Sequence, residues 1–294
     1  MNSGRLPRFQ RDNKIPSVTL TERDKEIIYR AFEHRFLRST HLLALTRGSP
    51  QQILRRLQLL FHHGYLDRPR AQIDYYRRGS QAMVYGLGNK GMVLLERKHG
   101  IPRRKLDWTA RNRSISRFFM EHTLAVADVM VTVELTCRAQ GIGLSNHHTQ
   151  GDSFRWQVPL RKGAVITSVG VVPDRVFGLK TQAGTHWFFL EADRATMPVE
   201  RSNLKQTSFC RKLVAYHETW RQGLIKDRFP RFRVLTVTST PQRVKNLVEA
   251  SKRLTQGKGS GLFLFTNQRD FVSAENLLQL PLINGHGEQS HLLD

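Results

Sequence analysis

A predicted β-hairpin in the middle of the chain constrains the fold more than any other feature. Residues 164–179 are rich in β-branched side chains, which favour strands, and Pro173 interrupts them. A turn over residues 180–184 follows, and residues 185–193 then form a largely apolar segment that ends in acidic residues. Strands joined by so short a turn pair antiparallel. The chain is therefore expected to build a β-sheet around this hairpin.

The register of this hairpin predicts three carboxylates on one face of the sheet. A turn centred near residues 182 and 183 pairs Asp174 with Glu191, and opposed residues have Cβ atoms about 4.5–5.5 Å apart. Asp193 lies two residues beyond Glu191 and points to the same side. Because clustered carboxylates repel one another, we expect these three to bind a divalent cation, Mg²⁺ or Mn²⁺. The alternatives are a degenerate fold that only binds DNA, or a coincidence of surface acids.

The segments around the hairpin predict a mixed α/β fold. A helical pattern spans residues 116–139, and residues 156–160 form a strand before the hairpin. After the hairpin come a helix, a strand, a helix and a strand, over residues 202–222, 232–238, 241–254 and 262–266. This order, with three strands followed by alternating helices and strands, is typical of an α/β sandwich.

The first third of the chain predicts three helices followed by two strands. Thr21, Ser39 and Ser49 are N-cap candidates for the three helices, and a proline follows Ser49 directly. Residues 65–67 and 83–87 then read as strands, with a basic, turn-rich stretch between them. Three helices, a strand, a basic hairpin tip and a returning strand are the element order of a winged helix.

The third predicted helix, residues 50–63, carries side chains suited to contact DNA. Ile53, Leu57 and Leu60 recur at helical spacing and mark its buried side. Amide and guanidinium groups elsewhere on it can read base edges in the major groove, and arginines between the strands can contact phosphates or the minor groove. The expected DNA contacts are Gln51, Gln52, Arg55, Arg56, Arg68, Arg77 and Arg78. The alternative is that the helix arginines only cover a solvated face.

The charge balance favours a polyanionic partner. The chain holds 47 Lys and Arg against 24 Asp and Glu, a formal charge of +23, and residues 1–110 hold 22 of these cations against 9 of the acids. Cations bound along DNA release its condensed counterions, so double-stranded DNA is the expected partner, with a basic ribosome-associated factor as the alternative. No apolar run approaches the roughly 18 residues of a spanning helix, which predicts a cytoplasmic protein with no membrane partner. The two cysteines suggest no disulfide framework.

The acidic motifs of the hairpin resemble the PD-(D/E)XK nuclease signature. They are Pro173-Asp174 and Glu191-Ala192-Asp193, and Asp193 stands where that signature has a lysine. The lysine of that superfamily positions water and offsets phosphate charge. The following helix can supply one instead, because one of its sides carries Lys205, Phe209, Lys212 and Tyr216. Lys212 is the expected surrogate.

These motifs, the winged-helix pattern and residues 189–196 (FLEADRAT) together resemble the replication-relaxation family, over about residues 20–265. That family includes the MOB-C-type relaxases of mobilisable plasmids and conjugative elements. The resemblance implies an amino-terminal winged helix followed by a restriction-endonuclease-like αβββαβ core. It also implies action at a plasmid or mobile-element origin, with relaxosome or replication proteins as partners.

The resemblance further implies a metal-dependent nickase. The expected catalytic residues are Asp174, Glu191, Asp193 and Lys212, the first three being metal ligands, and Lys212 or Arg194 would counter the charge on the scissile phosphate. Two non-enzymatic alternatives are an inactive origin-binding accessory protein and a winged-helix transcriptional regulator.

Five segments follow from these assignments. They are a disordered basic arm, a winged-helix domain, a linker, a nuclease-like domain and a tail without a motif, over residues 1–18, 19–100, 101–114, 115–268 and 269–294.

Overall fold

The computed structural model describes residues 7–12, 14–74, 81–101, 107–146, 154–162, 165–199 and 208–294. Its fold is mixed α/β, as the sequence predicts. The chain divides into two compact units, Met1–Ala127 and Asp128–Asp294. The division falls within a long helix and not in the predicted linker.

The amino-terminal unit combines helices with a small antiparallel sheet. Its elements are α1 (Glu22–His34), β1 (Phe36–Arg38), α2 (Ser39–Leu45), α3 (Pro50–His62), β2 (Leu66–Asp67), β3 (Val84–Leu87), α4 (Asn89–His99), α5 (Trp108–Ser114) and the start of α6 (Arg117–Gln140). The strand order is β1-β3-β2. The predicted helices and strands are present, and β1 is an addition. The tip between β2 and β3, with Arg77 and Arg78, lies outside the described residues.

Local signals explain where these helices begin. Thr21 accepts a hydrogen bond from the backbone N–H of Asp24, whose carboxylate accepts one from the Thr21 N–H in return. Ser49 caps α3 in the same way, by accepting from the Gln52 N–H. Such caps satisfy N–H groups that have no partner within the helix.

Described residues of the segments predicted as an arm and a linker make defined contacts. Arg11 forms an ion pair with Asp67 at 3.2 Å and donates to the Phe61 carbonyl at 3.1 Å. The arm is therefore held on the unit at this point. In the predicted linker, Asp107 caps the helix α5.

The carboxy-terminal unit contains a seven-stranded mixed sheet. After the remainder of α6 come β4 (Gly143–Asn146), β5 (Trp156–Lys162), β6 (Val165–Val171), β7 (Arg175–Thr181), β8 (Gly184–Asp193), α7 (Phe209–Gln222), β9 (Phe232–Thr238), α8 (Pro241–Leu254), β10 (Phe263–Asn267), α9 (Gln268–Ser273), β11 (Leu282–Asn284) and β12 (Gln289–Ser290). The strand order is β12-β11-β10-β9-β8-β7-β4, while β5 and β6 form a separate pair. Strand β9 pairs parallel with both β8 and β10.

Two sequence expectations change in this unit. The predicted strand over residues 164–179 is two strands in two sheets, β6 and β7, divided at Pro173. The residues predicted as a tail contribute β11 and β12 to the large sheet. The core of the unit therefore extends to the last residues of the chain.

One face of the large sheet determines where the candidate site lies. Phe189 of β8 is fully buried in a core that includes Tyr216 and Leu213 of α7 and Leu247 of α8. Because side chains alternate along a strand, Glu191 and Asp193 share the face of Phe189. No helix of the described residues is both long and apolar enough to cross a membrane.

Candidate active site and nucleic-acid interface

The exposed side of α3 carries three of the predicted DNA contacts. Gln51, Gln52 and Arg55 are exposed, and their side chains make no hydrogen bond or ion pair with any residue that the structure describes. Ile53 and Leu57 are fully buried on the opposite side, as the periodicity predicts. The helix is therefore anchored through its apolar side and leaves these polar groups available to a ligand.

Arg56 differs from this prediction. Its Nε and Nη2 atoms donate to the two carboxylate oxygens of Asp24 at 2.9 and 2.6 Å, and Nη2 also donates to the Thr19 carbonyl at 3.0 Å. Asp24 is fully buried, so its charge needs this partner. The guanidinium of Arg56 fixes α3 to the start of α1 and does not project as a base-reading group.

Arg68 also differs from its predicted role. Only 7% of the residue is exposed, and its guanidinium lies 4.2 Å from the ring centre of Phe61. It donates to the Tyr85 hydroxyl at 3.0 Å and to the Arg8 carbonyl at 2.7 Å. These contacts give it a structural role. Arg77 and Arg78 lie outside the described residues, so their predicted contacts stay predictions.

In the carboxy-terminal unit, the hairpin has the predicted register. Arg175, the first residue of β7, pairs with Leu190, and the same register continued by one residue sets Asp174, directly before the strand, against Glu191. The Asp174 N–H donates to the Leu190 carbonyl at 3.0 Å, and the Ala192 N–H donates to the Asp174 carboxylate at 2.8 Å. The two predicted acids are neighbours because the short turn leaves the strands no other pairing.

Lys212 reaches the carboxylate of Glu191 from α7. Its Nζ lies 2.5 Å from Oε2 of Glu191, and the Tyr216 hydroxyl donates to Oε1 at 2.6 Å. Lys212 and Tyr216 are four residues apart, one turn of the helix, so both project from the same side. The predicted replacement of the signature lysine by Lys212 agrees with this placement. Lys205 lies outside the described residues.

Burial and neighbouring charges shift the pKa values of this group. Burial raises the pKa of Glu191, and the negative charge of Asp174 adds to the rise, although Lys212 and Tyr216 oppose it. Burial opposes the charged form of Lys212, but Glu191 and Asp174 together raise its pKa. The pKa of Tyr216 is also raised, by burial first and then by Glu191. Lys212 is therefore a cation and Tyr216 a hydrogen-bond donor at neutral pH.

A profile of the replication-relaxation family matches residues 32–234, which is more than half of the chain and includes α3, the β7–β8 hairpin and α7. The chain belongs to the replication-relaxation family. Membership indicates a role in replication or mobilisation. No curated protein and no solved structure matches the chain.

Asp193 of this replication-relaxation protein departs from the predicted ligand set. Its Oδ2 accepts from Arg243 Nε at 2.8 Å and from the Thr238 hydroxyl at 2.7 Å. Arg243 also donates to the Met197 carbonyl at 2.6 Å. Asp193 lies on the predicted face, but Arg243 neutralises its charge. Arg243 gave no sequence signal, because a basic residue near the start of a helix is ordinary and its partner lies 50 positions away.

Only part of the predicted metal site forms in this replication-relaxation protein. Within the described ranges, no group of three or more His, Cys, Asp or Glu is placed to hold a metal ion. Asp174 and Glu191 remain adjacent, and Thr236, paired with Glu191 across β8 and β9, has a buried hydroxyl with no described hydrogen-bond partner. Mg²⁺ prefers oxygen donors and takes one or two protein carboxylates. Asp174 and Glu191 offer oxygen donors of this kind, but both Glu191 oxygens already accept hydrogen bonds, from Lys212 and from Tyr216.

A small cavity gives access to this group. It has a volume of about 220 Å³ and lies beside Glu191 and Lys212. Its walls combine apolar side chains with a second cation, and they include Val169, Val171, Met197, Ser208, Arg211 and Ala215. Both members of the Glu191–Lys212 pair thus line the cavity.

Proposed function

We propose that this replication-relaxation protein binds double-stranded DNA through α3, at a plasmid or mobile-element origin. The observation that carries the proposal is the exposed row of Gln51, Gln52 and Arg55, whose side chains have no partner within the described parts of the chain. Glutamine amides can bind adenine, and guanidinium groups can bind guanine, through two hydrogen bonds each. Residues 1–110 hold 22 Lys and Arg against 9 Asp and Glu, and this net positive charge attracts the phosphates of DNA.

Fluorescence anisotropy with labelled duplexes tests this proposal. Wild-type protein is expected to bind a duplex with an affinity that falls as salt rises. Arg55→Gln is expected to bind less tightly and to lose preference among sequences. Arg97→Gln, an exposed arginine on α4, is the matched control for the lost charge and should keep the wild-type preference among sequences. Unchanged binding by Arg55→Gln would remove α3 as the reading surface.

A second activity, cleavage of a phosphodiester bond, has its own supporting observation. Lys212 of α7 would replace the lysine missing from the hairpin motif, and the supporting observation is that its Nζ lies 2.5 Å from Glu191. Asp174 and Glu191 would hold Mg²⁺ or Mn²⁺, which would stabilise charge on the scissile phosphate as a Lewis acid. Lys212 holds a positive charge beside the cavity and can offset the charge that grows on phosphate oxygens. Tyr216 keeps the Glu191 carboxylate oriented through its hydrogen bond.

A nicking assay on supercoiled plasmid tests this activity. With Mg²⁺ or Mn²⁺, wild-type protein is expected to convert the plasmid to the open circle, and Asp174→Ala and Lys212→Met are expected to lose that activity. Glu275→Ala, an exposed acid of the same unit, is the control and should act like wild type. Equal activity of Asp174→Ala and wild type would remove the catalytic proposal. Tight DNA binding without nicking by any variant would favour the inactive origin-binding protein instead.

A further inference from the structure

A groove beside α3 is lined by one cation, Arg23, that is not among the predicted DNA contacts. It has a volume of about 500 Å³ and lies between the start of α1 and the first turns of α3. Its lining residues are Thr21, Arg23, Gln52, Arg55, Arg56 and Leu59. Three arginines thus border one groove, and no acidic side chain of the described residues lines it.

Two acids at the start of α1, Glu22 and Asp24, are already paired. Glu22 lies 2.5 Å from Lys25 Nζ and 2.8 Å from Lys98 Nζ. Asp24 is held by Arg56 at 2.6 Å. Arg23 and Arg55 have no hydrogen bond or ion pair with any other described residue. Two of the arginines that line the groove are therefore not engaged in an ion pair with any residue that the structure describes.

Arg23 has a defined position although it forms no hydrogen bond or ion pair with another described residue. Its guanidinium lies over Gly48, where a Cβ atom would be only 2.9 Å from Cζ and Nη1 of Arg23. Gly48 belongs to the turn between α2 and α3, so Arg23 reaches from α1 to the turn that precedes α3. The residue is half-buried, which means that part of its hydration is already lost. A guanidinium in this state offers two parallel N–H groups to an anion with little further loss of hydration.

We propose that this groove binds a backbone phosphate of the DNA, with Arg23 as its principal cation. The proposal rests on the proposed DNA binding by α3 and adds a contact from α1 that fixes the register of the duplex but reads no base. Asp24 and Arg56 are the positioning residues, because their ion pair ties α1 to α3 and sets the width of the groove. Gly48 leaves the space in which the guanidinium of Arg23 lies.

The salt dependence of binding separates a phosphate contact from a base contact. Loss of one phosphate contact reduces the slope of log affinity against log salt by about 0.9. For Arg23→Gln, the affinity deficit relative to wild type should therefore shrink about 3.5-fold between 50 and 200 mM KCl. The deficit should be the same on every duplex of a panel with varied sequence. Arg55→Gln should instead change the order of preference among those duplexes.

Two further variants keep the result interpretable. Arg97→Gln removes an equal charge outside the groove and should keep the wild-type slope. Arg23→Lys keeps the charge and should restore most of the slope that Arg23→Gln loses. Thermal unfolding of each variant checks that the unit is folded. Arg23→Gln with the slope of wild type would overturn this inference alone, whereas failure of the wild type to bind any duplex would overturn the DNA-binding proposal with it.

Discussion

The groove beside α3 and the cavity beside Glu191 differ in whether their charged side chains have partners within the protein. In the groove, Arg23 and Arg55 have no partner among the described residues, whereas Glu191 is held by Lys212 and Tyr216. Water still reaches an exposed or half-buried cation, but a fully buried carboxylate must be paired within the protein. The groove is therefore ready to accept an anion, while a ligand at Glu191 has to compete with contacts that already stabilise the fold.

The largest expected change in stability comes from breaking a buried ion pair in the carboxy-terminal unit. It tests whether the buried acids of this unit depend on their partners. Arg243→Met removes the partner of Asp193, whose side chain is 5% exposed. A buried charge left without its partner costs about 3–5 kcal/mol. The free energy of unfolding in urea should fall by that amount, and the Met197 carbonyl should lose its donor as well.

The double variant Asp193→Asn with Arg243→Met serves as its control. It removes both charges, so its unfolding free energy should lie above that of Arg243→Met alone. If the single variant is as stable as wild type, the pair contributes little, and Asp193 becomes available again as a ligand.

Two adjacent arginines on α3, one paired and one without a described partner, allow the same comparison of stability within the amino-terminal unit. Arg56→Gln leaves the fully buried Asp24 without its ion pair, and the unfolding free energy should fall by about 2–3 kcal/mol. Arg55→Gln removes an exposed side chain with no described partner and should change it by less than about 0.5 kcal/mol. Chemical denaturation of both variants decides the matter. Equal effects would mean that exposure does not separate ligand-binding arginines from structural ones here.

These arginines also show how far sequence reasoning reaches. The hairpin register and the shared side of Lys212 and Tyr216 on α7 were predictable, because a short turn fixes strand pairing and helical spacing fixes which side chains share a side. Spacing does not reveal partners that are distant in sequence. Arg56 is matched by Asp24 and Asp193 by Arg243, and neither pairing leaves a local pattern. Strands β11 and β12 were not predicted for a related reason. They are short, and they form by pairing with β10 and with each other.

The pH dependence of stability tests how closely Lys212 and Glu191 depend on each other. The pKa of Glu191 is raised above its ordinary value of 4.5, so its contribution to stability is complete below pH 4.5 and is lost as pH rises through the raised value. Lys212→Met removes the cation that limits this loss. The free energy of unfolding of the variant should be closest to that of wild type at low pH and about 2 kcal/mol lower at neutral pH. This difference is smaller than for a fully buried pair because the Lys212 side chain is 38% exposed.

Urea unfolding at a series of pH values measures this difference. Glu191→Gln combined with Lys212→Met should flatten the profile, since the titrating carboxylate is gone. A constant difference between Lys212→Met and wild type at all pH values would show that Glu191 does not depend on Lys212 for its charge.

The smallest expected change in stability concerns Thr236, which pairs with Glu191 across β8 and β9. Unlike the Glu191 carboxylate, its hydroxyl has no described hydrogen-bond partner. The residue is fully buried. Thr236→Val keeps the shape and removes a polar group that lost its hydration, so the unfolding free energy should rise by about 1 kcal/mol. A fall instead would mean that the hydroxyl has a partner in solution, such as an ordered water beside Glu191. Repeating the measurement with Mn²⁺ separates these cases, because a cation that uses this oxygen would stabilise wild type more than the variant. The sign of this small change therefore decides whether the pocket around Glu191 is closed by its own contacts or keeps one oxygen for a ligand.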